Sequence, residues 1–207
     1  KDCPEVEALP AISAGTITFG SFNNIIKISE TVIEVWAKTL VNVPNSTLLW
    51  VSKAFTDAHI QSHFLNIFAK FGVAAGKIEM VSNLPLKEYL AIHNRVDIAL
   101  DPFPHNGHTI TCHSLWMGVP VITLMGERYA TRMGASIMTR LGLVNLIAEN
   151  KDEYVCKATN LANNIEELAH LRDSLRNRLR TSDICKAQQF ANDFENALRA
   201  TWEKHSS

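Results

Sequence analysis

A doubly wound α/β fold, a parallel sheet with flanking helices, is predicted by three features of the sequence. Short runs rich in β-branched and aromatic residues alternate with longer stretches of helical period. Helix boundary signals punctuate that alternation: Ser29 as an N-cap with Glu30 behind it, Gly72 as a left-handed C-cap, and Pro85 at a helix start. From Asn150 onward only helical pattern remains.

Taken in order, "TITFGSF" is the first strand. "SETVIEVWAKTLVNVP" follows as a helix with Val32, Val35, Trp36 and Leu40 on one face. "STLLWVS" is the second strand, and "DAHIQSHFLNIFAKFGV" the next helix, striped by Ile60, Phe64, Ile67, Phe68 and Phe71. "KIEMVS" is the third strand, "PLKEYLAIHNR" a short helix, "VDIAL" the fourth strand and "VPVITL" the fifth, with "TITCHSLWMG" between them. After Gly142, "LVNLIA" makes an edge strand. Residues 1–149 thus form the sheet-bearing domain, and 150–207 a helical extension expected to pack on it. No internal repeat interrupts this division.

Composition narrows the partners. The chain has 207 residues, 46% hydrophobic and 20% charged, with a formal net charge of -1, as expected of a soluble globular domain. No Lys/Arg block supplies the positive field that nucleic acid or an anionic membrane requires, so a small molecule or a protein partner is expected. Cys3, Cys112, Cys156 and Cys185 are scattered without CxxC spacing, against a structural zinc site or a disulfide framework. A reducing, cytoplasmic setting is the expectation. No apolar run approaches the roughly 18 residues of a spanning helix, and "KDCPEVEALPAIS" lacks the layout of a secretory signal.

Ligands of open parallel sheets bind at the carboxyl ends of the strands, so the loops there matter most. In "DIALDPFPHNGHTITCHSLWMG", Pro102 and Pro104 stiffen a turn, Asn106-Gly107 is expected to take left-handed conformations, and "HTIT" opens a helix whose first amides and hydroxyls can hold an anion. That is a phosphate cradle without a Walker lysine, or a rigid turn in which Thr109 merely caps. In "GSFNNIIKIS", the small and amide residues Gly20, Ser21, Asn23 and Asn24 let a ligand approach, and Lys27 is either an anion contact or a surface lysine. Arg128 and Arg132 in "GERYATRMGAS" suit a diphosphate or solvent. His105, His108 and His113 do not share a helical face and have no acidic companion, so no metal site is expected. No GxSxG elbow appears, and Met117, Met125, Met133 and Met138 read as core filling.

With "TFGSFNNIIKIS", "VPNSTLLW", "DIALDPFPHNGHTITCHSLWMGVPVITLMGERYATRMGAS" and "LGLVNLIAEN" in this order and spacing, nearly the whole chain resembles the C-terminal catalytic half of the O-linked N-acetylglucosamine transferases, plant SPINDLY proteins and bacterial tetratricopeptide-linked relatives included. The resemblance implies the Rossmann-like, donor-binding half of a GT-B glycosyltransferase. It implies Lys27 as the catalytic lysine that neutralises the leaving diphosphate, with Asn24 beside it. Leu84 and Tyr89 fall at positions around the uracil, Tyr89 standing where animal enzymes carry histidine. His108 and Thr109 match the diphosphate-contacting pair at the helix start, with Ile110 in place of another threonine. His113 occupies the position of an acid that accepts from the ribose hydroxyls, and neutral imidazole does not replace a carboxylate there.

The function so implied is nucleotide-sugar binding in an inverting protein O-glycosyltransferase, with UDP-N-acetylglucosamine or a related donor, Ser/Thr acceptors and no metal cofactor. The acceptor-side half and a tetratricopeptide array are expected to precede Lys1, so this part alone is expected to be inactive. The alternative is a noncatalytic nucleotide-binding or scaffold module of the same fold.

Overall fold

The structure, a computed structural model, describes residues 3–206. The apolar runs form six strands: β1 (Ile17–Ser21), β2 (Ser46–Val51), β3 (Ile78–Val81), β4 (Ile98–Leu100), β5 (Val121–Leu124) and β6 (Ile147–Ala148). They pair in the order β3-β2-β1-β4-β5-β6, every pair parallel. Phe19 of β1 lies opposite both Leu48 of β2 and Ile98 of β4. The order of connection therefore reverses between β1 and β4, and the loops leaving those two strands diverge to opposite sides and leave a crevice.

The helices are α1 (Pro10–Ala14), α2 (Glu30–Asn42), α3 (Ala58–Lys70), α4 (Leu86–Ala91), α5 (Thr109–Trp116), α6 (Met133–Arg140), α7 (Lys151–Ala162), α8 (Ile165–Thr181) and α9 (Ala187–Ser206). Ser29 caps α2 as its sequence context requires, its hydroxyl accepting from the Val32 N–H at 3.3 Å. Val32, Val35, Trp36 and Leu40 are all buried. On α3, Phe64, Ile67 and Phe68 are buried, and Ile60 and Phe71 half-buried against the core. Trp36 meets Trp50 of β2 edge-on at 5.7 Å, and Trp50 in turn packs on Phe55, Phe64 and Phe68, so α2 and α3 close on β2 through one cluster of aromatic rings. Gly72 does adopt a left-handed backbone, with φ of 81°. Met117 and Met138 fill the core, while Met125 and Met133 are half-buried.

Beyond the sheet, α7 packs on α2 and β5, and α8 packs on α5. Buried Arg172 ties α8 to the rest: its guanidinium donates to the carbonyls of Glu7 (2.7 Å) and Val96 (2.8 Å) and to Asn94 Oδ1. Helix α9 is different. Its apolar residues Phe190, Phe194, Leu198 and Trp202 recur every fourth position and are all exposed. Among the described residues, no helix is long and apolar enough to cross a membrane.

Candidate nucleotide site

The carboxyl ends of β1, β2 and β3 open on a cavity of about 600 Å³. Its size is within the range that holds a nucleotide-sized ligand. Asn24 and Lys27 from the segment after β1, Leu84 from the loop after β3 and Tyr89 from α4 line it together, with Ile110 of α5. Two charged residues line it, Lys27 and Lys53, and neither is accompanied there by a carboxylate.

Local chemistry explains the placement of each. Asn24 caps the short turn Ile25–Lys27, its Oδ1 accepting from the Ile26 N–H at 3.1 Å, so the turn is fixed by the residue that begins it. Lys27 ends that turn, and its Nζ donates to the Asn106 carbonyl at 2.9 Å. This bond anchors a long flexible side chain and leaves two N–H donors for other partners. Burial pulls the Lys27 pKa below the ordinary lysine value, and the negative charge of Asp101 pulls it back up.

Tyr89 stands on α4 in an aromatic cluster. Its ring meets Phe22 at 5.8 Å, His93 at 5.2 Å and His113 at 5.7 Å, each edge-on. His93 stacks flat on Phe22 at 3.7 Å, and its Nδ1 bonds the Tyr89 carbonyl at 2.9 Å. Burial pushes the pKa of His93 down to about 3 and lowers that of His113, so both imidazoles are neutral near pH 7. Tyr89 Oη, His93 Nε2 and His113 Nδ1 are all buried without a hydrogen-bond partner. Of these three residues only Tyr89 lines the cavity, and it does so with its ring.

His108 is the N-cap residue of α5 and Thr109 its first residue; both are exposed. Neither lines the cavity with Lys27. His108 faces a second groove, bounded by Arg140 of α6 and Phe190 of α9. Arg128 and Arg132 are exposed outside the cavity, and Arg132 spends a guanidinium N–H on the Gly126 carbonyl at 3.1 Å. Among the described residues, no group of three or more His, Cys, Asp or Glu side chains is placed to hold a metal ion.

The expectation of left-handed backbone at Asn106-Gly107 is corrected: neither residue has positive φ. Glycine is required there for space. A Cβ on Gly107 would sit 2.5 Å from Thr111 Oγ1 and 2.8 Å from Asp101 Oδ1. Asn106 fastens the loop differently, its Nδ2 donating to the carbonyls of Pro102 (3.1 Å) and Leu124 (3.3 Å).

Sequence reasoning passed over Lys53, His93 and Asp101. Asp101 follows β4 directly and is buried, with Oδ1 accepting from the Gly107 N–H at 2.6 Å and Oδ2 from the Thr123 hydroxyl at 2.7 Å. Burial pushes its pKa up to about 6, against those two donors and Lys27, which lower it. The available signal was a lone acid between an apolar strand and a proline-rich turn. His93 offered none, since a histidine at the end of a short helix is ordinarily solvated.

Comparison with known proteins shows the family and the fold. The family model described as glycosyl transferase family 41 matches residues 8–194. The chain is 40% identical over 197 residues to the probable UDP-N-acetylglucosamine–peptide N-acetylglucosaminyltransferase SPINDLY of Hordeum vulgare, and 40% over 200 residues to that of Arabidopsis thaliana. Each alignment covers 95% of this chain and only 21% or 22% of the relative, so the chain spans about a fifth of their length. A mutant of the Thermobaculum terrenum O-GlcNAc transferase superposes with a TM-score of 0.88 at 33% identity, over 97% of this chain and 39% of that one. The fold is that of the GT-B glycosyltransferases. Anabaena HepE in complex with UDP, 13% identical over 90% of this chain and 51% of its own, shares that fold with a TM-score of 0.60.

Proposed function

The chain belongs to glycosyl transferase family 41, and on that premise we propose that it is the donor-binding half of an inverting protein O-glycosyltransferase. The donor is a uridine diphosphate sugar, UDP-N-acetylglucosamine or a near relative, and the acceptor a Ser or Thr hydroxyl presented by parts of the protein outside this chain. The observation that carries the reading is the cavity at the strand ends, in which Lys27 and Lys53 are unopposed by any lining carboxylate. Such a cavity favours an anion.

In this reading the nucleobase lies against Leu84 and Tyr89, and the ribose near His113. The diphosphate reaches Asn24 and Lys27, with the N-terminal amides of α5 at His108 and Thr109 closing on it. The acceptor oxygen attacks the anomeric carbon as the bond to the diphosphate oxygen breaks. Negative charge grows on that leaving oxygen, and Lys27 is already in place to stabilise it. The scheme calls on fixed protein charge and backbone dipoles for that task, and no metal takes part in it.

Calorimetric titration of the full-length protein with UDP, UDP-N-acetylglucosamine and a panel of other nucleoside diphosphates tests the reading. Binding of UDP in preference to the rest, weakened by Lys27→Met, is the expected result. Absence of nucleotide binding, or binding indifferent to Lys27, would reject it in favour of a scaffold module.

A further inference from the structure

One peptide group joins the two charges of the site. The N–H of Gly107 donates to Asp101 Oδ1 at 2.6 Å, and the C=O of Asn106, the other end of the same peptide unit, accepts from Lys27 Nζ at 2.9 Å. We infer that Asp101 is the positioning residue of Lys27, acting through the Asn106–Gly107 peptide and never touching the ligand itself. This rests on the reading of Lys27 as the diphosphate contact.

The physical argument is polarisation. A carboxylate on the N–H side of an amide draws positive charge toward that hydrogen and leaves the carbonyl oxygen more negative, so the bond the oxygen accepts is strengthened. The effect is largest where water is excluded, and Asp101 is buried. The groups on either side of that peptide are held in turn. Thr123 fixes the second carboxylate oxygen, Tyr154 Oη donates to the Asp101 carbonyl at 3.0 Å, and the Asn106 N–H donates to the Ala130 carbonyl at 3.1 Å. Glycine at 107 is what lets the carboxylate come so close. The charged and titratable groups acting on this pair are few: Asp101 on Lys27, and Lys27 and the Tyr154 phenol on Asp101. The arrangement spans the crevice between β1 and β4, so it couples the lysine on one side to the strand end on the other.

Asp101→Ala would leave two buried donors unpaired, so Asp101→Asn is the variant of choice. Its carbonyl still accepts from Gly107, its amide can face the Thr123 hydroxyl, and only the charge is lost. In the full-length protein, competitive acylation of lysines across pH, read residue by residue by mass spectrometry, should show Lys27 becoming reactive about one pH unit lower in Asp101→Asn than in wild type. UDP affinity should fall about tenfold in Asp101→Asn and by less than about twofold when the same change is made in a Lys27→Met background. Unchanged Lys27 reactivity overturns the inference, as does an equal loss of affinity in both backgrounds, which marks a purely structural carboxylate. Failure of wild type to bind UDP rejects the nucleotide reading, while the acylation arm still decides whether Asp101 governs Lys27.

Discussion

Replacement of Lys27 separates ground-state binding from catalysis. The intact donor carries a singly charged oxygen on each phosphate, and departure of the sugar adds a further charge at the leaving oxygen. A lone ammonium about 4 Å from that oxygen, at the effective dielectric of a half-buried site, interacts by about 4 kcal/mol. Loss of a preorganised contact of this kind is typically worth about 3 kcal/mol, roughly a hundredfold in rate. Lys27 is preorganised by its bond to the Asn106 carbonyl, so it requires no rearrangement as the charge develops. Lys27→Met should therefore lower kcat about a hundredfold, change the donor KM by less than about tenfold, and weaken product inhibition by UDP, whose terminal charge the lysine no longer meets. The assay is transfer of labelled sugar to a peptide by the full-length protein, with UDP as inhibitor. The pH profile supplies an independent sign. Because burial lowers the Lys27 pKa, activity should decline with rising pH before an ordinary lysine would lose its proton. Wild-type turnover with an unchanged UDP inhibition constant would refute the reasoning.

Three further outcomes are expected. Tyr89→Ala should weaken UDP binding by roughly 1 to 3 kcal/mol, whereas Tyr89→Phe should largely restore it, the Tyr89 hydroxyl having no protein partner; equal affinity of the alanine and tyrosine proteins by calorimetry would place the base elsewhere. His113→Glu should tighten UDP by on the order of 1 kcal/mol through a better acceptor for the ribose, and the gain should vanish for a nucleotide lacking both ribose hydroxyls; equal or weaker UDP binding would show that the ribose is held differently. His93, with a folded pKa near 3 against an ordinary value of 6.5, remains neutral on folding while the unfolded chain takes up a proton, so its contribution to stability is lost as pH falls from about 6.5 toward 3. His93→Phe should flatten that part of the melting-temperature profile; an unaltered slope would mean that other groups govern acid unfolding.

The order of strands and helices was legible because each depends on local pattern: Val32, Val35, Trp36 and Leu40 recur at helical spacing, and Ser29 caps the helix they form. Asn24 and Lys27 were legible as candidates through their loop, Leu84 and Tyr89 through the family resemblance alone, and the fold gathers all four on one cavity. Asp101 and His93 were not. Their importance comes from burial beside residues far away in the chain, Lys27 and Phe22, and no spacing rule encodes that proximity. Gly107 was legible as special but for the wrong reason, since a glycine demanded by a neighbouring carboxylate looks the same in sequence as one demanded by φ.

The pairing of β1 with β4 sets Phe19 beside Ile98, so the middle of the sheet joins segments that are distant along the chain. Closing so long a loop is entropically costly, and contacts of this range slow the search for the native state. Strands β1, β2 and β3 can associate as neighbours while the chain is still emerging, yet the crevice does not exist until β4 inserts beside β1. A nucleotide held as proposed, between the loop of Lys27 and the start of α5 beyond β4, would engage only the completed sheet and draw the folding equilibrium toward it by mass action. Resistance of this chain to proteolysis should rise with nucleotide concentration, and the ligand would serve as a reporter of whole-sheet assembly as well as of local occupancy.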